Sequence, residues 1–150
     1  MNYQEKLITL PVRIQGEDDL LTITAQIAGD SGLAYHGVGG DERAGWVITH
    51  LASKKALCSP IGKEHEIKLL LERVARITDW SQSEKEFIKQ PKIAVEFNKC
   101  QKTVAQELNM QLQTAMKDVG MPEHLVETVM NDLEDDVLRS ALLYAFKIVH

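Results

Sequence analysis

The stretch Lys117-Asp118-Val119-Gly120-Met121-Pro122-Glu123 separates two long segments of helical periodicity, and its reading decides how the rest of the chain is organised. Before it, from Pro91 to Val119, the apolar residues Ile93, Phe97, Cys100, Val104, Leu108, Leu112, Ala115 and Val119 recur along one stripe. After it, from Pro122 to Val149, Val126, Met130, Leu133, Val137, Ala141, Ala145 and Ile148 do the same. Gly120 suits a left-handed helix stop, and Pro122 suits the first turn of a new helix. The pattern predicts an antiparallel helical hairpin, with Asn131 and Asp132 as the point where its second rod is most easily broken. Each uninterrupted rod would run on the order of 40 Å at 1.5 Å per residue, longer than a typical strand beside it. That excess length predicts apolar surface left over, and therefore a homodimer assembled from two hairpins.

The first third alternates with a period of two. Ile8, Leu10, Val12 and Ile14 form one run and Leu21, Ile23, Ala25 and Ile27 a second, with a turn expected over Gly16 to Asp19. Pro11 cannot donate to a ladder, so the first strand is expected at a sheet edge. Turns at residues 29–32 and 39–45, the latter with three glycines, bracket a third strand from Leu33 to Val38. Trp46 to Leu51 and a short segment at Lys55 to Cys58 complete a meander of four to five short strands. From about Lys63 to Thr78, Ile67, Leu70, Leu71, Val74 and Ile77 mark an amphipathic helix that would cover the meander, with Trp80 plugging the edge of the same core. The expected class is α+β: residues 1–80 a meander plus helix, 81–90 a polar connector with a weak capping box at Ser83 and Glu86, and 91–150 the helical hairpin.

Composition excludes several classes. With 44% hydrophobic and 26% charged residues the chain reads as a soluble globular protein. It has no apolar run of bilayer length and no signal-peptide pattern at its start, so a cytoplasmic location is expected. Cys58 and Cys100 lack metal-motif spacing and read as reduced thiols. The net charge of −5 is unevenly distributed: residues 1–53 carry 3 basic and 7 acidic side chains, residues 54–102 carry 11 and 7, and residues 103–150 carry 3 and 8. A basic belt between acidic ends can attract a polyanion or the acidic region of another subunit.

Each candidate site has a plainer reading beside it. His36, His50, Cys58 and His65 fall within thirty residues but match no zinc template. Cys58 could approach His50 across a hairpin, yet nothing supplies the oriented third group that a nucleophile requires. Residues 37–45 are glycine-rich but lack the Lys-Ser/Thr of a phosphate loop. Glu134, Asp135 and Asp136 are neighbours that would point apart on a helix. No catalytic, metal-binding or cofactor-binding residue is expected. For a protein partner, Met110, Met116, Met121 and Met130 near the helical bend supply adaptable side chains. For nucleic acid, the belt offers Lys54, Lys55, Lys63, Lys68, Arg73 and Arg76, continued to Lys102. In element order alone, and only as far as Trp80, the meander followed by a helix resembles a family of small single-strand DNA-binding proteins. The expected role is a non-catalytic accessory or regulatory protein, with the look of those that phages and mobile elements encode. It would self-associate through its C-terminal helices and bind a protein partner, and a nucleic-acid-binding regulator is the alternative.

Overall fold

The computed structural model describes residues 1–58, 60–81 and 90–149. Five antiparallel strands lie in chain order: β1 (Tyr3–Ile14), β2 (Glu17–Ala28), β3 (Leu33–Val38), β4 (Asp41–His50) and β5 (Lys55–Ala56). The helices follow: α1 (Glu64–Val74), α2 (Pro91–Asp118), α3 (Glu123–Asn131) and α4 (Asp136–Ala145). The chain is therefore α+β with a meander, and β1 is an edge strand. The polar connector expected at 81–90, with Ser83 and Glu86, falls almost entirely outside the described residues.

The first two strands are not short. Each has 12 residues, and they pair over their whole length from Tyr3↔Ala28 to Ile14↔Glu17. The turn is tighter than expected, because only Gln15 and Gly16 lie between the strands, at φ 52° and 80°. Two consecutive positive φ values match the right-handed twist of the flanking strands, so Glu17 to Asp19 already belong to β2. Such a closure makes Ile14↔Glu17 a hydrogen-bonded pair. It follows that even-numbered residues of β1 bond to β2, while odd-numbered ones direct N–H and C=O away from it. The Gly29 N–H donating to the Asn2 carbonyl at 2.9 Å continues that phase. Pro11 falls at an outward-facing position, where its missing N–H costs the hairpin nothing.

β2 pairs with β3 only through Gln26↔Tyr35 and Ile27↔Ala34. The rest of the β1–β2 hairpin leaves the sheet as an arm. One of its faces carries Ile8, Leu10, Leu21 and Ile23, which pack with Ala25 and Ala34 in a small second core. Ile23 also reaches the β3–β4 turn, so that a Cβ at Gly40 would lie 3.1 Å from its Cγ2.

The main core lies on the other side of the sheet. Leu33, Tyr35, Trp46 and Ile48 meet Ile67, Leu70, Leu71 and Val74 of α1, which packs on β3 and β4. Trp80 is buried as expected: its indole N–H donates to the Val74 carbonyl at 2.8 Å and its own carbonyl accepts from His50 Nε2 at 2.7 Å. The far side of α1 receives α2, which in turn holds α3 and α4. Val104, Leu108, Leu112 and Met116 of α2 and Val126, Leu133 and Leu143 opposite them are buried in the same continuous cluster as the sheet residues.

The second rod of the hairpin is broken. Gly120, at φ 83°, ends α2's run as expected, but the returning segment divides into α3 and α4 at residues 132–135. Asp135 accepts from the Val137 and Leu138 amides at 3.0 and 3.1 Å, so this carboxylate starts a helix instead of decorating one. The break lets α4 turn toward α2 and α1. Helices of the same chain thus bury Val104, Leu108 and Leu112 of the first expected stripe and Val126 and Leu133 of the second, while Val119 and Val137 of those stripes stay exposed, at 66% and 82%. Leu108→Ala is expected to cost about 2–5 kcal/mol, because the site is fully enclosed and cannot collapse, and denaturant unfolding will measure it.

Candidate interaction surfaces

The methionines expected to bind a partner do not form one exposed group. Met116 is in the core, Met121 and Met130 pack partly buried against it, and Met110 alone is exposed, on the outer face of α2. Their common position near the bend in sequence is divided by the helical period into inner and outer faces.

The basic belt is dispersed as well. Lys63 Nζ sits 4.9 Å from the centre of the Tyr144 ring. Lys68 lies 3.8 Å from Glu64 and within 6 Å of the ring centres of both Tyr3 and Tyr35. Arg73 is engaged by the Glu107 carboxylate of α2. Lys54 and Arg76 are exposed and Lys55 partly so, on different elements. Cations already engaged by aromatic rings and carboxylates offer less to a phosphate chain than their number suggests.

His36, His50 and the two cysteines are committed elsewhere. His36 Nδ1 donates to the Gly37 carbonyl at 2.7 Å, which leaves Nε2 to accept from the Thr49 hydroxyl, also at 2.7 Å. Burial holds the His36 pKa below its ordinary value, so the ring is neutral. His50 Nδ1 bonds to Ser53 Oγ at 2.8 Å while Nε2 donates to Trp80. Burial pushes the thiols of both Cys58 and Cys100 up, away from the reactive thiolate. Among the described residues no group of three or more His, Cys, Asp or Glu is placed to hold a metal ion. The glycine-rich loop is the β3–β4 turn, with a register shift between Gly37 and Val38.

Two features were not anticipated. The first is an ion pair deep between α1, α2 and α4. Arg139 donates to Glu66 Oε1 at 2.9 Å and to Asn109 Oδ1 at 2.8 Å, and both charged side chains are only 12% exposed. Clefts of about 330 and 580 Å³ flank the pair and share Ile61, Glu66, Gln101 and Arg139 as walls. Arg139 Nη2 is enclosed without a hydrogen-bond partner. The pair ties α4 to the body, and its i to i+73 separation carries no sequence signature.

The second is the outer face of the arm. Leu7, Pro11 and Leu20 share it with Thr9, Thr22 and Thr24, and Leu7 and Leu20 are 72% and 69% exposed. Cross-strand contacts stiffen the surface: Thr9 Oγ1 to Thr22 Oγ1 at 3.1 Å, Gln26 to Glu5 at 3.4 Å, and Arg13 to Asp18 at 3.8 Å. At its base, where β2 parts from β3, a polar cleft of about 320 Å³ is lined by Thr22, Thr24, Gln26, Tyr35, Glu42 and Glu64. Tyr35 Oη donates to Glu64 there at 2.8 Å, and burial is the main cause that raises its pKa. An available signal was the pair of apolar residues, Leu7 and Leu20, on the otherwise polar phase of each strand.

Comparison with protein-family models, curated proteins and solved structures finds no match. Among the described residues no helix is long and apolar enough to cross a membrane.

Two predictions follow from this chemistry. A folded pKa below the unfolded value means that the unfolded chain takes up the proton first, so His36 contributes stability above about pH 6.5 that is lost as pH falls toward its depressed folded value. Thermal melts of the wild type should therefore lose more between neutral pH and pH 5 than melts of His36→Gln. Glu66→Ala leaves Arg139 charged and enclosed and is expected to cost about 3–5 kcal/mol, while the double variant Glu66→Leu/Arg139→Met recovers much of it in the same unfolding assay.

Proposed function

We propose that this chain is a non-catalytic interaction protein that grips a protein partner with the outer face of its β1–β2 arm. The observation that carries the reading is the contrast between two apolar surfaces. Val104, Leu108, Leu112 and Met116 of α2 are buried inside the chain, whereas Leu7 and Leu20 stand in water together on one face of a fully paired hairpin. Covering a leucine is worth roughly 1.5–3 kcal/mol, so a pair on a preorganised strand ladder is a strong anchor. The non-catalytic part of the reading is supported by the engaged ring nitrogens of His36 and His50 and by the raised thiols of Cys58 and Cys100. The belt at residues 54–102 gives less support to a nucleic-acid regulator, because Lys63, Lys68 and Arg73 already have partners within the chain.

The test is capture of partner from extract with a photo-crosslinker at Leu20 and, as control, at the exposed Val137 of α4. Partner-specific adducts should form at Leu20 only and persist in high salt. Leu20→Asp should weaken capture roughly ten- to a hundredfold while leaving the melting temperature unchanged. Tight binding of a labelled oligonucleotide that falls steeply with salt and is lost on neutralising Lys54, Lys55 and Arg76 would replace this reading with the nucleic-acid one.

A further inference from the structure

The arm has an open edge as well as an open face, and the geometry points to what occupies it: β1 of a second copy of this chain, antiparallel about a two-fold axis at Leu7. The inference rests on reading the arm as the contact element, and it adds a second occupant, on the edge, and its register.

The edge is defined by the hairpin's own phase. Odd-numbered residues of β1 direct N–H and C=O away from β2, and among the described residues none of these groups has a backbone partner. The usable stretch has two natural ends. It begins at Tyr3, where the strand begins, and it ends at Pro11, which has no N–H to offer. The midpoint of that stretch is Leu7, the most exposed large apolar side chain of the sheet. The other edge of the arm is not equivalent, because Ile23 of β2 already meets the β3–β4 turn.

A two-fold axis at Leu7 places Leu7 against its own copy, Glu5 against Thr9, and Tyr3 against Pro11. Every outward N–H from Tyr3 to Thr9 then finds a carbonyl, and the donorless Pro11 falls at the ladder's end, where it costs least. Neighbouring registers are worse for identifiable reasons. An axis at Glu5 or at Lys6 sets like charges directly opposite each other, which destabilises a strand pair. An axis at Ile8 or Thr9 draws Pro11 into the interior of the ladder. The favoured register also leaves the face holding Leu20 uncovered, so a protein partner and a second copy can be bound together. Joining two edges is self-complementary and closes, so it yields a dimer and no fibre.

Sedimentation velocity at micromolar concentration should find a dimer for the wild type and a monomer for Thr9→Pro. Thr9 bonds outward, so proline there blocks the edge while sparing the β1–β2 ladder, and the far-UV circular dichroism should be unchanged. Cross-linking fixes the register independently of that variant. Without reductant, Leu7→Cys should form a disulfide dimer, Glu5→Cys alone should not, and Glu5→Cys mixed with Thr9→Cys should, with the wild type controlling for Cys58 and Cys100. A monomeric wild type, a Thr9→Pro dimer, or equal cross-linking at residues 5 and 7 overturns the inference. If the wild type is monomeric but Leu20 adducts still form, the proposed function survives and the edge pairing alone is overturned. Loss of both removes the arm as a contact element.

Discussion

Burial of the α2 stripe is the interaction on which the rest of the structure depends. Val104, Leu108, Leu112 and Met116 face α1 on one side and α3 and α4 on the other, and through α1 they are continuous with Tyr35 and Trp46 of the sheet. A helix of 28 residues could not remain in water with that stripe exposed, and its length is usable because the returning segment is broken. Two short helices with a turn between them can wrap a long one where a single straight rod would only run beside it. The Asp135 cap and the Arg139 to Glu66 pair hold the second of these helices in place.

Beside the buried α2 stripe, the β1–β2 arm is the other long element that carries apolar side chains, and two of these, Leu7 and Leu20, are exposed. The arm is long because its two strands pair without interruption, and it stands out because β2 stays with β3 for only two residues before diverging. One of its faces folds inward on Ala34, and the other stays in water beyond Tyr3, whose ring packs against Tyr35. A two-sided hairpin with one satisfied face and one bare face, stiffened by threonine and charged pairs across it, is an element suited to recognition, since little entropy remains to be lost when it binds. The acidic N-terminal third includes Glu17, Asp18 and Asp19 at the arm's tip, which also keeps that end unsuited to polyanions.

Much of the fold was legible in the residues. The meander order follows from short turn-forming connections, the edge position of β1 from Pro11, the cover helix from the spacing of Ile67, Leu70, Leu71 and Val74, and the helix stop from Gly120. The break near Asn131 was visible as a weakness, and the plugging role of Trp80 as a large apolar side chain just beyond a helix end. Periodicity reports which residues share a face, but not how many neighbours that face will meet: Val104 and Leu112 of one expected stripe are buried, whereas Val119 of the same stripe and Val137 of the next are exposed. The methionines illustrate this, since positions six apart on one helix, such as Met110 and Met116, point to opposite environments. The candidate surface was less legible, because Leu7 and Leu20 are ordinary residues until the register shows them on one face with Pro11.

The sequence by itself determined the local objects: two alternating strands joined at a tight turn, an amphipathic helix, a long helix with one apolar stripe, and the stops between them. These depend on propensity, period and capping, which act over a few residues. Only the tertiary structure decided which apolar surfaces cancel. The pairing of α2 with α1, α3 and α4, the Glu66 to Arg139 contact and the divergence of β2 from β3 join residues far apart in the chain. Burial there depends on shape and on competition among all the faces at once, and no local window contains that information.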